Sequence, residues 1–397
     1  MGLLAANRAF RSLCVARFLS SGGDALSLVA LMVHVADTTG QALAVSVLLL
    51  VGDFAPSLFG PLSGAISDRF DLRRVMVGCE LVQAVLLVAI AVSLDHLVLV
   101  LVLVGLRALA GQVFLPASRA AVPALVADRD LPVANSALGF GTNGAEAVGP
   151  LLAAALLPMV GVRGALLVDA ATFAVSALLL VTLRPIPPAP AAPALLAGAR
   201  EGLRFIRSTP AVRVIGLGFC AVVACNGIDD VALVVLAKDT FESGDAAVGV
   251  LLAGAGIGLL AGYALLSRHS GRLGMAGLLV AGFAISSVGN LLTGLTWAVA
   301  AAFTLQTVRG LGIAAMDVAT NTLIQRHVPT GLLGRVFGTL YGGIGAAAAL
   351  SYVAGGVLLD ATSAPATFLI AGAAGTLATL MVALRLPRAL RAHDDHD

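Results

Sequence analysis

Long apolar stretches follow one another along this chain of 397 residues, separated by short groups of charged residues, glycine and proline. A helix that crosses about 30 Å of hydrocarbon needs roughly 20 apolar residues. Twelve stretches reach this length, so the pattern predicts an all-α polytopic membrane protein with twelve transmembrane helices. The predicted helices are Leu13 to Val35, Ala42 to Ile66, Val75 to Leu94, Leu97 to Arg119, Ala137 to Val160, Ala165 to Leu183, Val212 to Leu236, Ala246 to Leu266, Leu273 to Thr293, Trp297 to Thr320, Phe337 to Leu359 and Pro365 to Leu384.

The composition excludes several other classes of protein. Hydrophobic residues make up 59% of the chain and charged residues only 12%, which fits no soluble class. The net charge of +2 is small and the basic residues are scattered, so a nucleic-acid partner is not predicted. The four cysteines show no metal-binding spacing, and the sequence has neither a phosphate-binding loop nor a nucleophile with its base. We therefore predict no metal, no cofactor and no enzymatic activity.

The positions of the basic residues predict the orientation of the chain. When the N-terminus is placed in the cytoplasm, 20 of the 24 Arg and Lys residues, Arg17 and Arg119 among them, fall on the cytoplasmic side and two fall outside. The other two, Arg107 and Arg309, lie within predicted helices. This is the distribution that the positive-inside rule requires, so we predict that both termini are cytoplasmic.

The chain also shows two similar halves. A shift of 202 residues places Arg107 on Arg309, Leu131 on Leu333 and Gly141 on Gly343 without a gap. A Pro/Ala-rich stretch separates the halves, so we predict a six-helix bundle at 1–184, a cytoplasmic linker at 185–210, and a second, pseudo-symmetric six-helix bundle with a cytoplasmic tail at 211–397. Within the linker, the pattern around residues 196–207 indicates either an amphipathic helix on the membrane surface or an ordinary solvated helix. Repeated halves of this kind usually place the substrate site between them near the bilayer midplane.

Several charged residues lie deep inside the predicted helices. Asp24 and Arg107 lie at matching depth and could form a pair, Asp53 and Arg309 lie about as deep, and Glu146 is slightly shallower. An isolated charge at such a depth costs on the order of 2.5–3.5 kcal/mol, which makes these residues candidates for function. Because burial favours the neutral acid and a neighbouring arginine favours the carboxylate, a movable pair of this kind can exchange protons. The proton-coupling candidates are Asp24, Asp53, Arg107 and Glu146; a permanent structural ion pair, or a carboxylate in a watery vestibule, is the alternative.

The loop between the second and third predicted helices carries the sequence Gly64-Ala-Ile-Ser-Asp68-Arg69-Phe-Asp71-Leu-Arg73-Arg74. It resembles the signature loop of the major facilitator superfamily, G-x-L-x-D-R-x-G-R-R, although Asp71 and Leu72 depart from that pattern. The small residue lets a neighbouring helix approach, and the carboxylate can then bind that helix's positive N-terminal end. The resemblance implies a conformational latch built from Gly64, Asp68, Arg69, Arg73 and Arg74.

Further stretches support the same resemblance. Arg107 is similar to that superfamily's helix 4 arginine, and Gly149-Pro150 is similar to the helix 5 motif of its antiporters, where proline bends the helix. The segments from Asn7 to Asp24, Pro116 to Pro123, and Thr322 to Val336 resemble the branch that contains enterobactin exporters and macrolide-efflux proteins. This likeness implies substrate-cavity residues on helices 1, 4, 7 and 10, namely Asp24, Arg107, Asn226, Arg309 and Asp317.

Together these features predict a secondary transporter of the bacterial inner membrane that exports small amphipathic molecules by alternating access, in exchange for protons. Its expected partners are the small-molecule substrate, protons and membrane lipids, and it is expected to be a monomer. An importer or a lipid flippase of the same fold is the alternative, and a membrane receptor or scaffold that transports nothing is a third reading from another class.

Overall fold

The structure is a computed structural model that describes residues 2–187, 195–243, 245–269 and 274–394. Within these residues the chain is helical and forms no strand. Twelve long helical segments, numbered spans 1 to 12, occupy Arg8–Thr39, 42–69, Leu72–Val92, Leu97–Leu125, 131–160, 162–181, Pro210–Thr240, Asp245–His269, Met275–Thr293, Val299–His327, Leu333–Ala361 and Ala364–Asp394. The predicted all-helical fold is confirmed, and most spans extend a few residues beyond their predicted ends.

Spans 5 and 6 follow each other almost without a loop. They form one helical segment, Leu131–Val181, whose backbone leaves the helical region at Gly161, with φ 66° and ψ 179°. Glycine adopts a positive φ without a steric penalty, which allows an abrupt break. A methyl group added to Gly22 would touch Ala145, and one added to Gly23 would collide with Asp169. Because residues 145 and 169 reach neighbouring positions of span 1, the chain must fold back between them.

Span 2 is the least regular of the long segments. An α-helix at Ala42–Leu49 is followed by a π turn at Leu50–Phe54, a 3₁₀ turn at Ala55–Phe59 and a second α-helix at Gly60–Arg69. Pro56 lies in the 3₁₀ turn and explains part of the change, because proline has no N–H to donate and its ring clashes with the preceding turn. The side chain of Asp53, a predicted proton-coupling residue, lies outside the described residues.

Side chains fix where several spans begin. Asn7 precedes span 1 and accepts a hydrogen bond from the backbone N–H of Phe10 at 3.0 Å. Asp71 precedes span 3 and accepts one from the backbone N–H of Arg74 at 2.9 Å. Each carboxylate or amide oxygen satisfies a donor that the first helical turn leaves without a partner. Asp71, which departs from the expected signature loop, therefore acts as a helix cap.

The described residues divide into two compact units. Unit 1 contains 2–134, 141–204 and 328–342, and it has a buried apolar cluster that includes Leu87, Ile90, Leu166 and Phe173. Unit 2 contains 135–140, 205–327 and 343–394, and it has a buried cluster around Phe368. Of the predicted linker at 185–210, residues 188–194 lie outside the described part, and the remainder includes a helix at Leu195–Ser208, named the linker helix below. The predicted domain boundaries stay predictions.

Candidate functional site

The side chains of Asp24 in span 1 and Arg107 in span 4 form an ion pair in unit 1. Depth counted along the sequence had indicated that these two residues could meet. The Asp24 side chain is 43% exposed and the Arg107 side chain 13% exposed, so the pair is accessible on the side of the carboxylate. A carboxylate that is paired but accessible can leave its arginine and bind another group, whereas a fully buried pair has no other group within reach.

The exposed side of this pair faces a cavity of about 730 Å³ in unit 1. Its apolar wall is formed by residues that include Leu28, Val29, Val104, Phe114, Leu115 and Phe173. Its polar wall contains three arginines and three acids in addition to glutamines: Arg17, Arg107, Arg119, Asp24, Glu80, Glu146, Gln83 and Gln112. The volume is typical of small-molecule sites, which combine a mainly apolar lining with a few polar groups.

Two cavity arginines were assigned by the sequence analysis to the cytoplasmic side. Arg17 lies inside span 1, where its guanidinium stands 5.5 Å from the centre of the Phe114 ring and donates to the Thr142 hydroxyl at 3.4 Å. Arg119 lies inside span 4 and is buried. The positive-inside count treats both arginines as loop residues and so does not predict that they line a cavity.

Glu80 is a cavity residue that the sequence analysis missed. It lies in span 3, is 1% exposed, and lines the cavity. Among the described residues neither of its carboxylate oxygens accepts a hydrogen bond of ordinary geometry, although the Ser176 hydroxyl lies nearby. A buried acid without such partners is costly, so its presence needs a reason. The signal was available in the sequence, because Glu80 interrupts the apolar helix Val75 to Leu94.

Asp169 in span 6 is a second buried acid of unit 1. It is 0% exposed and accepts hydrogen bonds from the Ser27 hydroxyl at 2.5 Å and from the Thr172 hydroxyl at 3.1 Å. Its carboxylate occupies the space where a side chain at Gly23 would begin. Asp169 lies only a few residues after the start of the predicted helix Ala165 to Leu183, and folding back at Gly161 brings it beside span 1.

Unit 2 contains its own ion pair, between Asp229 of span 7 and Arg309 of span 10. These side chains are only 9% and 6% exposed. The guanidinium of Arg309 also donates to Gln306 Oε1 at 3.0 Å, and Gln306 in turn donates to the Thr293 hydroxyl at 3.1 Å. This arrangement resembles a permanent structural pair held in a polar network.

The other predicted substrate residues of unit 2 also have partners within that unit. Asn226 donates to the Ser287 hydroxyl at 3.1 Å and accepts from the Asn290 amide at 3.0 Å. Asp317 accepts from the Tyr263 hydroxyl at 3.0 Å and from the Asn321 amide at 2.8 Å. The residues that line the 730 Å³ cavity all belong to unit 1. A role of Asn226, Arg309 and Asp317 in substrate binding therefore stays a prediction.

The signature loop forms a defined contact in unit 1. Asp68 accepts hydrogen bonds from the backbone N–H groups of Gly334 at 2.8 Å and Arg335 at 3.0 Å, at the start of span 11. A carboxylate at a helix N-terminus is stabilised by the exposed N–H groups and by the helix dipole. Arg335 Nε lies 3.4 Å from Asp68 Oδ2, and both side chains are buried. Gly64 makes this contact possible because a Cβ there would lie 2.8 Å from the Arg335 Cα.

The remaining residues of the predicted latch are arranged differently. Arg73 donates to the backbone carbonyl of Leu183 at 3.1 Å, which ties the start of span 3 to the end of span 6. Arg69 and Arg74 have exposed side chains. Arg335 also donates to Glu201 of the linker helix at 2.7 Å, a partner that the sequence analysis did not identify. The structure therefore centres the contact on Asp68, Arg335 and Glu201.

The motif in span 5 packs against span 1. Gly149 is buried, and a side chain there would collide with Ala25. Pro150 lines the cavity, and the helix continues through it; the non-helical residue within Leu131–Val181 is Gly161. Glu146, one turn before Pro150, also lines the cavity. Among the described residues, no three His, Cys, Asp or Glu side chains form a group that could hold a metal ion.

Comparison with known proteins identifies the family. A family model described as "Transmembrane secretion effector" matches residues 4–397. The chain belongs to this family of major facilitator superfamily transporters.

Two relatives agree with this membership of the major facilitator superfamily, and one solved structure shares the fold. The chain is 25% identical over 376 residues to the uncharacterized MFS-type transporter YfiS of Bacillus subtilis (strain 168). This match covers 91% of this chain and 89% of the relative. It is 28% identical over 395 residues to the multidrug efflux pump Tap of Mycolicibacterium fortuitum, with 94% of each chain covered. A bacterial homologue of the iron transporter ferroportin, crystallised in an outward-facing state, shares the fold with a TM-score of 0.83 at 17% identity, covering 94% of this chain and 98% of that one.

Membership of the major facilitator superfamily confirms several predictions. The resemblance drawn from the loop at 64–74 is correct, and the chain is a multi-pass membrane transporter. Transporters of this superfamily are not enzymes, as predicted.

Proposed function

We propose that this transporter exports small amphipathic molecules from the bacterial cytoplasm in exchange for protons, by alternating access. The observation that carries the proposal is the accessible Asp24–Arg107 ion pair in the wall of a cavity that is both apolar and charged. The apolar wall would accept the hydrocarbon part of a cargo by shape, and the polar wall would accept its polar groups. The efflux-type name of the relative Tap supports export.

In this proposal the proton binds at a carboxylate oxygen of Asp24. The ionised Asp24 carboxylate, held by Arg107, would accept a polar or positively charged group of the cargo, and protonation would remove that acceptor. Cargo and proton would therefore compete for Asp24: cargo binds from the cytoplasm as the proton leaves, and a proton that enters from the opposite side displaces the cargo there. The proton gradient would be the energy source, so no bound cofactor is required; one pH unit across the membrane supplies about 1.4 kcal/mol per proton.

The test uses purified protein in proteoliposomes, an imposed pH gradient and a lipophilic fluorescent dye as the cargo probe. We expect Asp24→Asn and Arg107→Ala to lower pH-driven dye transport at least tenfold, since each removes one half of the exchangeable pair. Asp24→Glu keeps the charge and is the matched control, with most of the activity retained. Wild-type rates from both Asp24→Asn and Arg107→Ala would remove the pair from the mechanism.

The same assay separates the alternatives. Accumulation of dye on the side with the higher proton concentration supports exchange, whereas movement of dye together with protons indicates an importer. A fluorescent lipid that moves between leaflets when the dye does not would indicate a flippase. Absence of counterflow with every probe would favour a receptor or scaffold. We further propose that the protein is a monomer in the inner membrane with both termini in the cytoplasm, in agreement with the positive-inside count.

A further inference from the structure

The linker helix Leu195–Ser208 has three distinct sides. Gly198 and Gly202 are buried, and a Cβ at Gly202 would lie 2.7 Å from the Arg335 Cβ, so this side packs closely against the start of span 11. At about 100° per residue, Leu196 and Leu203 share a second side. They are 67% and 37% exposed, which leaves an apolar stripe without cover in unit 1.

The third side of the linker helix is basic. Arg200 and Arg204 are one turn apart, are both exposed, and lie together along one edge of the apolar stripe. An exposed apolar stripe bordered by arginines is the arrangement of a helix that lies at a membrane surface, with its leucines among acyl chains and its guanidinium groups at phosphates. Charge complementarity selects anionic headgroups over zwitterionic ones.

The packed side connects this surface to the contact at Asp68. Glu201 accepts a hydrogen bond from Arg335 at 2.7 Å, and Arg335 lies against Asp68. The Arg335 and Asp68 side chains are buried, whereas Glu201 is 46% exposed. Glu201 therefore links the linker helix to the buried Asp68–Arg335 pair, so that a shift of this helix would change the hydrogen bond to Arg335.

We propose that the linker helix is a docking site for anionic lipid headgroups, and that bound lipid stabilises the Asp68–Arg335 contact through Glu201. This inference rests on the chain being a membrane transporter, and it does not depend on the cargo or on proton exchange. Lipid charge would thus regulate how readily span 11 separates from the loop at Asp68.

Binding is tested first, without cargo or a pH gradient. Delipidated full-length protein is titrated with phosphatidylglycerol or phosphatidylethanolamine, and retained lipid is measured by native mass spectrometry. We expect the wild type to prefer phosphatidylglycerol and the Arg200→Glu/Arg204→Glu variant to bind it about twentyfold more weakly, with phosphatidylethanolamine unchanged. The Arg200→Lys/Arg204→Lys variant keeps the charge and should retain the preference. The proposed docking site would be overturned if the Glu variant bound phosphatidylglycerol as tightly as the wild type does. It would also be overturned if inorganic phosphate displaced the bound phosphatidylglycerol.

Coupling is tested second, by thermal unfolding with and without phosphatidylglycerol. In the wild type the lipid should raise Tm, and in Glu201→Ala the lipid should still bind while most of this rise is lost. The exposed Arg129→Ala is the control and should respond like the wild type. An undiminished lipid-dependent rise in Glu201→Ala would show that Glu201 does not transmit the effect.

Discussion

Asn226 of span 7 stands where a shift of 202 residues places Asp24 of span 1, and its amide donates to the Ser287 hydroxyl. In unit 2 the acid that pairs with Arg309 is instead Asp229, which lies nearly one helical turn after Asn226. The repeated halves therefore keep the arginine in register and displace the carboxylate. One pair is accessible from a cavity, and the other is buried in a polar network.

This difference predicts unequal effects of the same substitution. Asp229→Asn should remove the ion-pair partner of the buried Arg309 and destabilise the protein by about 3–5 kcal/mol. Asp24→Asn removes a half-exposed carboxylate and should cost about 1 kcal/mol or less. Thermal unfolding of both variants in the same detergent measures the contrast. Equal losses of stability would mean that the two pairs have the same structural role.

Gly64 should tolerate no side chain. A methyl group there would lie 2.8 Å from the Arg335 Cα and would collide with the carbonyl of Gly334, so Gly64→Ala must separate the loop at Asp68 from span 11. We expect a loss of about 1–3 kcal/mol in stability and a transport rate at least tenfold lower. Gly78→Ala is the control, because nothing lies within 4 Å of its added Cβ. If Gly64→Ala transports at the wild-type rate, close approach at this point is not required.

The neighbouring glycines Gly22 and Gly23 provide a matched pair. Gly23→Ala should push the carboxylate of Asp169 away from the Ser27 and Thr172 hydroxyls, at a cost of about 1–3 kcal/mol. Gly22→Ala meets only the Ala145 Cβ, at 3.7 Å, and should leave stability nearly unchanged. Thermal unfolding compares the two variants. Equal Tm values would show that Asp169 does not need the space left by the absence of a side chain at Gly23.

Glu80 should be more important for activity than for stability. Glu80→Gln removes the ionisable carboxyl of a buried acid with no ordinary hydrogen bond among the described residues. We therefore expect the free energy of unfolding to stay constant or to rise by about 1–3 kcal/mol, with Tm constant or higher. If this acid receives protons during the cycle, pH-driven dye transport should fall at least tenfold. Gln83→Leu, at another buried position in the cavity wall, controls for altered shape. A lower Tm with normal transport would assign Glu80 a structural role.

The sequence predicted features that depend on distance along the chain. The length of the apolar stretches gave twelve spans, and depth counted from the helix ends brought Asp24 to the level of Arg107. The loop at Asp68 was predicted by a resemblance, and its carboxylate lies at the predicted kind of helix N-terminus.

Features that depend on how each helix rotates about its axis were not predicted. Depth alone cannot tell whether Glu80 faces the cavity, nor that Asp229 rather than Asn226 reaches Arg309. The ion pair between Glu201 and Arg335 joins residues more than 130 positions apart, and no local pattern relates them. Arg17 and Arg119 were assigned from their position near helix ends, whereas their side chains lie in the cavity wall.

The abrupt break at Gly161 also constrains how the protein is made. Spans 5 and 6 have almost no connecting chain, so we expect them to enter the bilayer together as a hairpin. Arg163 follows the break directly, and its guanidinium donates to the backbone carbonyl of Ala91 at 2.9 Å, at the end of span 3. The tip of the hairpin thus carries a positive charge whose hydrogen-bond partner lies on a helix from an earlier part of the chain.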